Sequence, residues 1–78
     1  MSTDDGVVAL NNLLQQRNEL HLLVWEDKPS GPRHDTIWTS RCRLQGEVIG
    51  EGQGGQKQKA RNMAAKEAVK ALTNLENH

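Results

Sequence analysis

A chain of 78 residues holds one domain at most; a domain this small buries only about 60% of its unfolded surface and has no room for a cleft between lobes. Ten Lys and Arg balance ten Asp and Glu, and zero net charge predicts weak long-range steering of a charged ligand. No run approaches the roughly 18 apolar residues of a membrane span. The N-terminus shows no signal-peptide core. The single cysteine, Cys42, excludes an internal disulfide and fits an intracellular location, cytoplasm or nucleus, rather than secretion.

Asp4 or Asp5 offers an N-cap for a first helix that runs to about Gln16. Val7, Leu10, Leu13, Leu14 and the stem of Arg17 fall on one side at helical spacing. Val8, Asn12, Gln15 and Gln16 fall on the other, giving an outer face rich in amides, which both donate and accept hydrogen bonds. Residues 21–26 (HLLVWE) read as a strand, and residues 27–35 (DKPSGPRHD) read as a loop by their Pro and Gly content. Residues 36–44 (TIWTSRCRL) alternate, with Trp38, Ser40, Cys42 and Leu44 opposite Thr39, Arg41 and Arg43. That pattern predicts a half-buried antiparallel strand. Gln45 and Gly46 make a two-residue turn into a returning strand over 47–50. Gly50, Gly52, Gly54 and Gly55 then suggest a flexible loop leading to a second helix from about Gln56 to Asn74. Its apolar stripe is Ala60, Ala64, Ala68, Ala71 and Leu72, flanked by Ala65 and Val69. The expected architecture is α+β, in the order α-β-β-β-α, with a three-stranded antiparallel sheet and both helices packed on one face. The face bearing Thr39, Arg41 and Arg43 is left to water.

The charge is unevenly spread. Residues 1–26 carry Arg17 against Asp4, Asp5, Glu19 and Glu26, or −3; residues 57–70 carry Lys57, Lys59, Arg61, Lys66 and Lys70 against Glu67, or +4. A local basic patch binds phosphate even on a neutral molecule, because screening limits each charge to about a Debye length. Lys57, Lys59 and Arg61 open the second helix, where the macrodipole favours anions instead. At 100° per residue, Lys57 and Arg61 share the side of Ala64 and Ala68. An external polyanion beyond the sheet would reconcile these facts, since phosphates would meet cations and helix-end N–H groups together. A solvated helix end is the plainer alternative. Trp25 and Trp38 are the sole aromatic residues, too few to build a core and also stack single-stranded bases.

Other chemistries fit less well. Gly50, Gly52 and Gly55 satisfy G-x-G-x-x-G, but the chain lacks the second βαβ unit of a dinucleotide fold. The P-loop pattern fails because Lys57 follows Gln56. Residues 52–55 form a G-x-x-G sequence like that of the KH type of single-strand binder, although there the loop joins two helices. His21, His34 and His78 have no companions at metal-ligand spacing, and Cys42 has no recognisable base beside it. No enzyme activity and no metal or cofactor is expected.

From about Ala9 to Leu72 the chain resembles the double-stranded-RNA-binding domain. The order of elements matches, and the signature G-P-x-H appears as Gly31, Pro32, Arg33 and His34. The match continues through Trp38, Gly46 and the G-E-G of Gly50, Glu51 and Gly52. It ends in the second-helix signature K-K-x-A-K-x-x-A-A, here KQKARNMAA over 57–65. The resemblance implies a domain over residues 9–72, with an N-terminal segment over 1–8 leading into helix 1 and a C-terminal tail over 73–78.

It also implies RNA-facing residues. Asn12 and Gln15 match the helix 1 positions that enter one minor groove, with an amide replacing the family's Glu. Pro32, Arg33 and His34 match the loop that enters the next minor groove, His34 near a 2′-hydroxyl. Lys57, Gln58 and Arg61 match the three phosphate-gripping positions between them. Gln58 departs from the cation found there, and Lys59 is a neighbour that compensates in part. Such a domain spans ~16 base pairs and reads A-form shape with little sequence information. The implied partner is double-stranded RNA, with no membrane and no small-molecule cofactor. The second reading is a protein-interaction or dimerisation module on the same fold, with weak or no RNA binding.

Overall fold

The computed structural model describes residues 6–76, with side chains over 6–74. The expected caps Asp4 and Asp5 lie outside the described residues. Helix α1 (Gly6–Gln16) is followed by a 3₁₀ turn (Leu20–Leu22), β1 (Leu23–Ser30), a second 3₁₀ turn (Arg33–Asp35), β2 (Ile37–Leu44), β3 (Glu47–Gly54) and helix α2 (Lys57–Glu76). The strands form one antiparallel sheet in the order β1-β2-β3. Leu10 and Leu14 of α1 are fully buried with Cys42, Ala64, Ala65 and Ala68, and Leu44 and Leu72 complete this core. Both helices therefore share one side of the sheet. α2 lies against β3 and β2, and α1 packs mainly on α2.

Four sequence expectations change. Residues 27–30 continue β1 rather than opening a loop, with Asp27 opposite Ser40 and Pro29 opposite Trp38. Proline is tolerated there because β1 is an edge strand with one side outside the ladder. His21, expected at the start of this strand, sits in the preceding 3₁₀ turn. The glycine run is likewise strand, not flexible loop, as far as Gly54 opposite Trp38. A Cβ on Gly50 would lie 2.1 Å from the Ala64 carbonyl oxygen, and one on Gly52 would lie 2.4 Å from the Ala64 nitrogen. The glycines let the α2 backbone rest directly on β3. Finally, Ala71 is exposed and Ala65 is fully buried, so the apolar stripe of α2 is rotated from the expected one.

Two local devices fix the sheet. Gln45 and Gly46 both have positive φ, 54° and 86°, the pairing that lets a two-residue hairpin follow the strand twist. Between Cys42 and Arg43 the β2–β3 register slips by one. The extra residue, Ile49, packs against the core beside Gly50. The start of α1 is held from α2: the Val7 N–H donates to Asn62 Oδ1 at 3.0 Å. Asn62 is almost fully buried, so its amide serves as a cap supplied from the other helix.

The close α2–β3 contact predicts that Gly50→Ala destabilises the fold by about 3 kcal/mol, because backbone atoms must yield to the new methyl. Urea unfolding followed by tryptophan fluorescence measures this. Unchanged stability would mean that the helix can lift from the strand at little cost.

Candidate nucleic-acid interface

Asn12 and Gln15 are exposed on the side of α1 away from Leu10 and Leu14, three residues apart and so neighbours on the helix surface. Gly31, at φ 90°, turns the chain out of β1. The turn that follows is tied together: the Asp35 N–H donates to the Pro32 carbonyl at 3.0 Å, and the Thr36 hydroxyl donates to the same oxygen at 3.2 Å. Pro32, Arg33 and His34 are exposed on this short, hydrogen-bonded loop. Lys57, Gln58 and Lys59 are exposed at the start of α2. The Lys57 ammonium stands 5.6 Å from the centroid of the Trp38 ring, close enough for cation–π attraction.

Arg61 is placed differently. One turn on from Lys57, it reaches across to β1, where its Nε lies 3.0 and 3.1 Å from Asp27 Oδ1 and Oδ2 and its Nη2 lies 2.5 Å from Oδ2. The Ser40 hydroxyl donates to Asp27 Oδ1 at 2.6 Å. Beneath the guanidinium lies Trp25, with its ring centroid 5.2 Å from Cζ. The core-side placement of Arg61 therefore has an internal anion, and for this residue the external polyanion invoked from the sequence is not required. The hydrogen bonds from Arg61 hold the Asp27 carboxyl below the usual carboxylate value; burial opposes this and the bond from Ser40 adds to it. The same bonds raise the Arg61 pKa in turn.

The Double-stranded RNA binding motif family matches residues 9–72. The chain belongs to this family. Among similar proteins, Ribonuclease 3 of Ligilactobacillus salivarius (strain UCC118) is 35% identical over 68 residues, which are 87% of this chain and 29% of that protein. Ribonuclease 3 of Desulforamulus reducens is 36% identical over 71 residues, 91% of this chain and 29% of that protein. Ribonuclease 3 of Staphylococcus aureus (strain Mu3 / ATCC 700698) is 44% identical over 48 residues, 62% of this chain and 20% of that protein. The chain thus spans less than a third of the length of these relatives.

As a double-stranded RNA binding motif, the chain keeps three exposed groups at the positions singled out from its sequence, and it adds a polar cluster that the sequence did not reveal. Asp27, Ser40 and Arg61 meet across β1, β2 and α2. Asp27 was hidden by its surroundings in a Pro- and Gly-rich stretch, and Ser40 by its membership of an otherwise apolar stripe. The one available signal was the strand pairing, which sets Asp27 directly opposite Ser40. Cys42 is fully buried, and burial pushes its thiol up to about 11, so it is protonated at neutral pH. Its Sγ lies 3.7 Å from both the Gly50 and the Ala64 carbonyl oxygens, where it packs rather than reacts. Among the described residues, no group of His, Cys, Asp or Glu is arranged to hold a metal ion, and no helix is long and apolar enough to cross a membrane.

The lowered Asp27 pKa sets a sign for acid unfolding. A carboxylate whose folded pKa is depressed adds stability that is fully present above its unfolded value, near 3.8, and is lost as pH falls through the lower folded value. Asp27→Asn should therefore flatten the loss of stability in that acid range, as measured by urea midpoints taken pH by pH. An identical acid profile in the variant would remove Asp27 from the stabilising network.

Proposed function

We propose that this domain, over residues 9–72, binds double-stranded RNA through helical shape and phosphate contacts, with little sequence information and no chemistry of its own. The observation that carries this reading is the family match across those residues. The exposed positions of Asn12 and Gln15, of Pro32, Arg33 and His34, and of Lys57, Gln58 and Lys59 support it. In this reading α1 and the loop after β1 enter successive minor grooves, where 2′-hydroxyls and base edges are within reach. The start of α2 faces the phosphates between them through Lys57, Gln58 and Lys59, while Arg61, one turn on, is turned to Asp27. The proposed unit is residues 9–72; α1 opens before it at Gly6, and α2 runs on beyond it to Glu76. The ribonuclease named for the relatives belongs to those longer proteins; no catalytic role is proposed for any residue of this chain.

Asn12 in place of a carboxylate leaves a group that both donates and accepts, suited to 2′-hydroxyls without strong base preference. Gln58 removes one cation from the phosphate grip. With few cations and no net charge, the expected salt dependence is shallower than that of a strongly basic binder.

The open face of the sheet favours a second role in protein contact or self-association. It carries Arg41 paired with Glu51 at 2.5 Å and Arg43 paired with Glu26 at 3.0 Å. Val24 and Val48 flank Arg43 across the strands and are each about half exposed. A shallow depression of about 270 Å³ on this face is lined by Glu26, Lys28, Pro29, Ser30, Thr39 and Arg41.

The test is titration of a perfect duplex RNA longer than ~16 base pairs beside matched duplex DNA and single-stranded RNA, at stated ionic strength. Duplex RNA should bind best, and equal retention of single strands would refute the reading. Lys57→Ala should weaken binding similarly for all duplex sequences and lower the salt slope by about one. His34→Ala should reduce the preference for RNA over DNA duplexes; an unaltered ratio takes His34 out of the interface.

A further inference from the structure

We propose that Asp27 sets the strength of the phosphate grip by neutralising Arg61, so that the start of α2 offers an RNA backbone the charge of Lys57 and Lys59 alone. This rests on the duplex reading above and adds an internal regulator to it.

The geometry is that of a closed pair. Arg61 spends Nε and Nη2 on the two carboxylate oxygens, the forked arrangement in which guanidinium meets carboxylate most strongly. The Asp27 side chain is 10% exposed, against 37% for Arg61, so the anion is the inner member and the cation the outer one. Ser40 supplies a second donor to Asp27, and Trp25 supports the guanidinium from below. An RNA phosphate that drew Arg61 away would leave a largely buried carboxylate with only the Ser40 hydroxyl on it. Stranding a buried charge costs more than one exposed phosphate contact returns. A phosphate approaching the outer edge of Arg61 meets two opposite charges in contact, whose fields largely cancel beyond a few ångströms. The carboxylate also acts on Lys57, whose charge contributes to the lowering of the Asp27 pKa. The cation count read from the second-helix signature therefore overstates the cationic charge available for phosphate.

The experiment compares wild type, Asp27→Asn and the double variant Asp27→Asn with Arg61→Gln. Each is titrated with the same duplex RNA, longer than ~16 base pairs, between about 0.05 and 0.2 M salt. The double variant removes both charges and strands neither. It should match wild-type affinity within about twofold and keep the wild-type salt slope. Asp27→Asn alone unmasks Arg61 and should tighten binding about three- to tenfold at the low-salt end, with a slope steeper by about one. Thermal unfolding and tryptophan fluorescence establish that each variant is folded; if Asp27→Asn is not, the double variant decides. A slope shallower by about one in the double variant overturns the proposal, because Arg61 would then be a phosphate contact in spite of Asp27. So does a folded Asp27→Asn with wild-type affinity and slope. Failure of wild type itself to bind duplex RNA is seen before any variant is compared, and rejects the duplex reading together with this one.

Discussion

The placement of both helices on this domain depends on how closely the backbone of α2 approaches β3, since α1 packs mainly on α2. Gly50 and Gly52 leave no side chain between strand and helix, and fully buried Ala60, Ala64, Ala65 and Ala68 keep the helix surface low. The contact supplies little apolar area per residue, but it allows almost no translation or rotation of the helix on the sheet. A packed interior resists small displacements because its atoms already touch. The helix start that bears Lys57 and Lys59 is thereby set relative to β2 and β3, which a looser Leu-on-Val contact would specify less sharply.

The same axis orders the polar chemistry. Along the helix side of β2 the residues are Trp38, Ser40 and Cys42, and α2 answers them in turn. Lys57 stands over Trp38, Arg61 meets Asp27 beside Ser40 above Trp25, and Ala64 lies on Cys42. Solvent exposure falls along this row from the exposed Lys57 to the buried Cys42. The two tryptophans act as platforms for cations of the same chain. This use of the aromatic residues agrees with a domain that does not stack single-stranded bases. Charge near the α2 start is therefore partly consumed inside the fold, and a domain of zero net charge is left with a small, localised phosphate grip in the proposed mode of binding.

Much of the architecture was legible in the residue order. Alternation in TIWTSRCRL marked β2 and its buried face, and the Gln45–Gly46 turn marked the hairpin. Leu10 and Leu14 marked the inner side of α1, which leaves Asn12 and Gln15 outside. The loop signature from Gly31 to His34 and the helix signature from Lys57 point to the family from residue order alone. The two misplaced strand ends have one cause. Residues 27–30 and the glycines from Gly50 to Gly54 have compositions that, taken locally, favour turns and flexibility. They are strands because of partners elsewhere: an edge position for Pro29, and a helix resting on the strand for Gly50 and Gly52.

Patterns of near neighbours, repeating every two or three to four residues, were thus enough to establish α-β-β-β-α and the wet sides of α1 and β2. Long-range pairing alone decided that Asp27 faces inward, that Ser40 and Arg61 close on it, and that Asn62 caps the opposite helix. Each of these is a hydrogen bond between residues distant in the chain, and polar side chains carry no periodic signature of the partner they will find. Apolar burial repeats along an element and can be read there. A single buried polar contact does not repeat, and becomes visible only when the elements are brought together.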